Sequence, residues 1–364
     1  MDLNHKRILV IKPSSLGDVI HALPLIHAIK RKYPSSYVGW VVQRNLKSLL
    51  EADPHIDEII PIEIPSTSEP SAWIGTYFSS VIATVRSLRS LRKKFRDDPY
   101  DVILDLHASF RSGLMSIMNP RGFRVGFADA KELNTFFQSK LVHDSPDKPH
   151  AVDKILGFAD FLELTVESAD FDLFIGDSAM REARLFIDES GIKGAERIVY
   201  ANPATRWATK FWNKRAWGEL ADRLINELNA KVIFGGGPSE IGYVLEIVSL
   251  MKQEPVIAAG RLTPIGAAAL IKASDIYVGV DSGPMHIAAF VGTPVVALFG
   301  PTDPAKVGPY GPGNVVVRVD GLSCLGCRKS VCSDRRCLDE ISADRMFEEV
   351  QKLTNWNPLH TEIR

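Results

Sequence analysis

The feature that most constrains this chain is a rhythm that starts twice: a short aliphatic run, a polar or glycine-rich turn, then an apolar pattern at helical spacing. The first cycle opens with Arg7-Ile8-Leu9-Val10-Ile11. A helix follows through Ile20, Leu23, Ile26 and Ile29, and Pro24 inside it predicts a kink or a break. Further strands are expected at 37–42, 58–62 and 101–106. The pattern restarts near residue 197, with strands at 198–201, 231–234, 256–259, 276–280 and 295–299. Helices are expected near 216–228, 240–251 and 284–291, and another after Thr263-Pro264, an N-cap followed by proline at the first helical position. Continuous apolar strands alternating with helices require parallel sheets covered on both faces.

Two such cycles in 364 residues imply two doubly wound α/β domains. The boundary is expected at 176–195, around Gly176-Asp177, dividing the chain into 1–180 and 181–364. A closing helix at about 343–353, capped by Ser342, can pack back on the N-terminal domain. Ligands of these sheets bind beyond the carboxyl ends of the strands, so the loops after strands are where chemistry belongs.

Four such loops carry reactive residues. Lys12-Pro13-Ser14-Ser15-Leu16-Gly17-Asp18 follows the first strand. Asp18 can act as a general base toward an acceptor hydroxyl, or simply cap the helix that begins there. Asn202-Pro203-Ala204-Thr205-Arg206-Trp207-Ala208-Thr209-Lys210 follows the first strand of the second half. Lys210 and Arg206 can neutralise a diphosphate, while Thr205 and Thr209 donate to its oxygens. Gly235-Gly236-Gly237-Pro238-Ser239-Glu240 is no dinucleotide fingerprint, because Glu240 stands where GxGxxG needs glycine; its carboxylate can instead hold ribose hydroxyls. Asp281-Ser282-Gly283-Pro284-Met285-His286 opens a helix whose free N–H groups suit a phosphate. An ordinary capped helix explains Ser-Gly-Pro but not His286. The chain has no Gly-Lys-Ser/Thr, which excludes a P-loop.

Together these segments, with 292–304 (GTPVVALFGPTDP), resemble glycosyltransferase family 9, the bacterial lipopolysaccharide heptosyltransferases. The resemblance runs from residue 7 to about 313. It implies a GT-B fold, two Rossmann-like doubly wound parallel-sheet domains facing across a cleft, with acceptor on the first and donor on the second. It also implies inverting, metal-independent transfer of L-glycero-D-manno-heptose from ADP-heptose to the Kdo-lipid A inner core. On it, Asp18 corresponds to the base and Lys210 to the phosphate-binding lysine. Thr205, Arg206, Glu240, Asp281, Ser282, Gly283 and His286 fall to the donor nucleotide; Lys12, Ser14, Ser15, Gly17, His150 and Lys154 fall to the acceptor side. Lys154 stands where some relatives have arginine and lacks its two-pronged fork. The first loop is closer to heptosyltransferase I and the cysteine cluster to heptosyltransferase II. Competing readings are a GT-B-like sugar-nucleotide epimerase, a transferase of another sugar, or a hinged binding protein.

Remaining signals bound the setting. A net charge of −1 gives no global pull toward nucleic acid. Neither a signal-peptide core nor a membrane-length apolar run is present, so a cytoplasmic location is expected. Arg86, Arg89, Arg92, Lys93, Lys94 and Arg96, interleaved with Val85, Leu88, Leu91 and Phe95, form an amphipathic pattern. It suits either a solvated face or contact with the inner membrane surface or acceptor phosphates. Cys324, Cys327, Cys332 and Cys337 have a first pair at zinc-ligand spacing, leaving a structural zinc, a local disulfide or free thiols open; no metal is expected at the transfer site.

Overall fold

The computed structural model describes residues 1–65, 74–194 and 196–356. It divides into two compact units, Met1–Phe174 and Ile175–Arg364. The first runs β1 (Arg7–Ile11), α1 (Leu16–Lys32), β2 (Tyr37–Gln43), β3 (Glu58–Ile62), α2 (Ile74–Asp97), β4 (Val102–Asp105), α3 (Phe110–Met118), β5 (Phe123–Phe127), β6 (Lys140–Val142) and α4 (Ala151–Phe161). The second runs α5 (Asp177–Glu189), β7 (Arg197–Asn202), α6 (Lys214–Leu228), β8 (Ala230–Phe234), α7 (Ile241–Val248), β9 (Val256–Ile257), α8 (Pro264–Lys272), β10 (Ile276–Val280), α9 (Gly283–Phe290), β11 (Val295–Leu298), α10 (Pro304–Val307), β12 (Asn314–Val317), α11 (Arg336–Asp339) and α12 (Ala343–Thr354).

Each unit builds one six-stranded, all-parallel sheet. The orders are β3-β2-β1-β4-β5-β6 and β12-β11-β10-β7-β8-β9. Both are the doubly wound order, in which the chain starts at the centre, winds outward one way, then returns and winds outward the other way. The reversal opens a crevice beyond the carboxyl ends of β1 and β4 in one sheet, and of β7 and β10 in the other.

The helices follow from patterning. In α6 the buried residues Trp217, Leu220, Ala221, Leu224 and Leu228 recur at helical spacing. The Asn213 side chain accepts from the Arg215 and Ala216 amides at its start, worth about 1 kcal/mol. Asn229, left-handed at φ 51°, ends it. The closing helix α12 starts at Ser342, whose hydroxyl accepts from the Arg345 amide. It packs on α6 and on β10, β11 and β12, burying Met346, Phe347 and Val350 in its own unit's core.

Pro24 does not break its helix. α1 runs unbroken from Leu16 to Lys32, and its residues from Val19 to Ile29 are all buried. An interior proline costs about 3 kcal/mol. Leu23, Leu25 and Ile26 alone, each worth roughly 1.5–3 kcal/mol when fully buried, offset that. Among the described residues no helix is long and apolar enough to cross a membrane.

Candidate functional site

In the first unit the residues after β1 meet those after β4. Asp18 lies in the first turn of α1. Its Oδ2 accepts from the Ser15 amide at 2.9 Å and the Ser15 hydroxyl at 2.7 Å. Lys12 Nζ stands 3.4 Å from its Oδ1 and donates to the Leu106 carbonyl at 2.7 Å, which ties the β1 loop to the end of β4. The Lys12 side chain is 9% exposed and that of Asp18 is 43%, so the pair offers its carboxylate outward. Desolvation opposes the charge on Asp18, but the Lys12 ammonium, the two Ser15 hydrogen bonds and nearby His21 outweigh it. The carboxyl is held well below the usual carboxylate range.

Several neighbours were not visible in sequence. His107, just after β4, has its pKa lowered by burial and by the Lys12 charge, with Asp18 and Asp105 pulling the other way. Fully buried Asp105 positions that loop: Oδ1 accepts from the His107 and Ala108 amides, and Oδ2 from Ser112, Asn134 and Gln138. The only available signal was their position after a central strand. His150 caps α4 by accepting from the Val152 amide, and its ring lies 5.7 Å from that of His21, three residues beyond Asp18. Lys154 instead pairs with Asp129 and with Asp144, the latter at 2.8 Å. Gly17 is buried, and Ser14 and Ser15 are half-buried in the same loop.

A second cluster lies deeper in this unit. His27 Nε2 is 2.8 Å from Asp53 Oδ2, His55 Nδ1 is 3.0 Å from Asp53 Oδ1, and His27 Nδ1 is 2.7 Å from the Asp170 carbonyl. Burial favours the neutral His27 ring. The hydrogen bond and charge of Asp53, with the Asp170 carbonyl, override it and raise the pKa. The three side chains lie close enough to hold a metal ion. With both His27 nitrogens facing acceptors, they form an ion-paired tie between α1, the loop before β3 and the segment ending the unit.

In the second unit the loops after β7 and β10 meet. Lys210 Nζ contacts Asp281 Oδ2 at 2.7 Å and lies over the Trp207 ring, 4.8 Å from its centre. Here the lysine is the more open partner, with 16% of its side chain exposed against 7% for Asp281. Thr205 donates to the Asp281 carbonyl at 3.4 Å. Ser282 occupies the N-cap position of α9 but makes no side-chain cap bond, and its hydroxyl accepts instead from Asn202 Nδ2 at 3.2 Å. In the first turn of α9 Pro284 has no N–H and the Met285 amide donates to the Ser282 carbonyl at 3.2 Å, which leaves the Gly283 amide as the open donor at the positive end of the helix. Buried Asn202 Oδ1 has no hydrogen-bond partner among the described residues. His286 is buried on the same first turn. Arg206 is exposed nearby in the chain, and Glu240 stands one strand further out, its Oε2 accepting from the Gly237 amide at 2.7 Å.

The cysteines select among three open readings. All four are free, and among the described residues no three of their sulfurs come close enough to share one metal ion. Their segment is pinned elsewhere: Gly326 and Arg328 amides donate to the Gly300 and Pro301 carbonyls, Thr209 donates to the Lys329 carbonyl, and Cys332 Sγ turns to the Asp334 carbonyl. The four thiols nonetheless line one small cavity beside the Lys210 loop, with Thr209, Pro301 and Arg335, and burial first and then the three neighbouring cysteines raise the Cys337 pKa.

Doubly wound twin sheets, each with a lysine–aspartate pair at its crevice, are the build of GT-B proteins. The model of glycosyltransferase family 9 (heptosyltransferase) matches residues 88–337, and the chain belongs to that family. It is 28% identical over 318 residues to the lipopolysaccharide core heptosyltransferase OpsX of Haemophilus influenzae, covering 86% of this chain and 84% of that protein. It is 26% identical to lipopolysaccharide heptosyltransferase 1 of Pseudomonas aeruginosa, covering 92% and 91%. Among solved structures, a family 9 glycosyl transferase from Veillonella parvula superposes with a TM-score of 0.82 at 22% identity, covering 98% and 99%. The E. coli heptosyltransferase WaaC with ADP superposes at 0.71 and 23% identity, covering 95% and 99%. These establish a heptosyltransferase-family glycosyltransferase built on the GT-B fold.

Proposed function

We propose that this chain transfers L-glycero-D-manno-heptose from ADP-heptose to the Kdo-containing inner core on lipid A, with inversion and without a metal ion. The observation that carries the donor half is the Lys210–Asp281 pair beside the Gly283 amide at the start of α9, at the crevice of the second sheet. E. coli heptosyltransferase WaaC, whose structures hold ADP and ADP-2-deoxy-2-fluoro heptose, shares this fold, which supports an ADP-sugar donor. Lys210, Arg206 and the Gly283 amide at the start of α9 bind the diphosphate and stabilise the charge that grows on it as the sugar–oxygen bond breaks. Asp281 and the Trp207 ring aim Lys210. Asn202 Oδ1 accepts from a donor hydroxyl, Glu240 holds the ribose, and Thr205, Ser282, Gly283 and His286 complete the nucleotide contacts.

Asp18 takes the proton of an acceptor hydroxyl while that oxygen attacks the anomeric carbon opposite the leaving ADP. Its depressed pKa keeps it ionised throughout the neutral range but makes it a weak base. It therefore assists late, when the developing C–O bond has already acidified the hydroxyl. Lys12, Ser14, Ser15, Gly17 and His150 shape the acceptor side. Lys154, held between Asp129 and Asp144, supports that side through the β5–α4 segment.

The test is ADP release from ADP-heptose with and without a Kdo-lipid A acceptor, repeated in EDTA. Release only with acceptor, undiminished by EDTA and yielding the inverted linkage, is expected. Release without acceptor, or none with any Kdo acceptor, rejects this reading.

A further inference from the structure

Helix α2 serves its core with one stripe. Thr84, Leu91 and Phe95 are buried, and Leu88 packs against the same cluster as Leu91 and Phe95. Lys94 pairs with Glu58 of the adjoining strand β3. The rest of the helix surface is composed differently. Val81, two turns before Leu88, is 61% exposed, and Ile82 and Val85, further round the helix, are 58% and 41% exposed, three aliphatic residues open to solvent. Arg86, Arg89, Arg92, Lys93 and Arg96 continue the same outward side, all exposed and none in an ion pair among the described residues. From Ser79 to Arg96 there is no acidic residue, although the whole chain carries a net charge of only −1.

A merely solvated helix face mixes signs at spacings of three and four, because such pairs stabilise it and like charges destabilise it. Arg86/Arg89, Arg89/Arg92, Arg89/Lys93 and Arg92/Arg96 are all like-charged neighbours. Val81, Ile82, Val85, Arg86 and Arg89 line one shallow open groove, so the aliphatic and cationic parts are contiguous. Aliphatic side chains projecting beside guanidinium groups match the boundary between acyl chains and phosphate headgroups. Neither base stacking nor groove reading in a nucleic acid uses such a ridge.

We infer that the outward face of α2, from Val81 to Arg96, docks the protein on an anionic phospholipid bilayer, with Val81, Ile82 and Val85 at the acyl boundary and the five cations among the headgroups. The docking requires neither donor nor acceptor, so its test stands apart from the transfer reaction.

The full chain is sedimented with phosphatidylcholine vesicles and with vesicles containing about a third phosphatidylglycerol. Binding to the anionic vesicles, at least about tenfold weaker on phosphatidylcholine and falling steeply toward about 0.5 M salt, is expected. Each cation near an anionic surface is worth roughly a fivefold change in partition, so R86E/R89E/R92E should bind at least about a hundredfold more weakly. V81S/I82S/V85S should keep low-salt binding and lose the salt-resistant part. R86Q/R89Q/R92Q, a gentler change at the same exposed positions, serves if the reversal fails to fold, and circular dichroism establishes folding. Equal binding to both vesicle types, or wild-type binding by a folded charge variant, overturns the inference. So does release from vesicles by inorganic phosphate at matched ionic strength, which marks a soluble-phosphate site instead.

Discussion

The two units have the same strand order, the same crevice and a lysine–aspartate pair in each, yet they present opposite charges. In the first, Lys12 is covered and Asp18 is the open partner; in the second, Asp281 is covered and Lys210 is the open one. Topology therefore decides where the chemistry sits, because only at the reversal of winding do two loops diverge and leave space. Which member of the ion pair is exposed decides what the space attracts. The covered lysine keeps Asp18 ionised without masking it, and the covered aspartate aims Lys210 without removing two of its three donors.

The largest expected effect probes the acidic side. Asp18→Asn keeps the hydrogen-bonding shape but removes the base, and turnover should fall about 10²–10⁴-fold while ADP affinity, measured by calorimetry, stays unchanged. The depressed pKa of Asp18 also implies that wild-type kcat/KM shows no acid limb from this group above about pH 5. An equal loss of turnover and ADP affinity would break the division of labour between the units.

The next effect asks whether the first unit's stability is separable. His27→Leu leaves Asp53 buried beside an incomplete set of partners and should cost about 3–5 kcal/mol. Hydrogen exchange should show this in β1–β6 but not in β7–β12. Because folding raises the His27 pKa above 6.5, its contribution is complete below that pH and is lost as pH climbs through the raised value. Wild-type protection of β1–β6 should decline along that rise, and the variant should lack the decline.

Lys210→Met mirrors the first prediction: ADP affinity should drop about 10–100-fold, with acceptor-side properties unchanged. The smallest effect tests the twin architecture itself. A Cβ at Gly39 would lie 2.1 Å from the Tyr100 hydroxyl, and one at Gly235 2.1 Å from the Tyr200 hydroxyl. Gly39→Ala and Gly235→Ala should each cost about 1–3 kcal/mol, as overpacking does, in urea unfolding. A marked difference between them would show that the two sheets differ in rigidity.

Much of this was legible beforehand because the information is local. Strands β1, β7, β8, β10 and β11 are aliphatic runs, and Thr263 and Ser342 cap helices as their neighbours dictate. The short strands β5, β6 and β12 escaped notice. Phe123-Arg124-Val125-Gly126-Phe127 carries a charge and a glycine, and β6 has three residues, so propensity alone does not mark either; β12, Asn314-Val315-Val316-Val317, has the propensity but only four residues. Pro24 leaves α1 unbroken, since burial along that helix outweighs a local penalty. His107, Asp105 and the His27–Asp53–His55 tie were invisible because each depends on partners distant in the chain.

The amino-acid sequence by itself determined the two-cycle α/β plan, the loops that bear the chemistry and the family resemblance, since all three are written in periodicity and contiguous motifs. Only the tertiary structure decided that Lys210 meets Asp281, 71 residues away, that Asp18 rather than Lys12 is open, and that the four free cysteines line one cavity. Exposure and pairing are properties of where distant segments come to rest, and no local pattern specifies which partner of an ion pair the fold will cover.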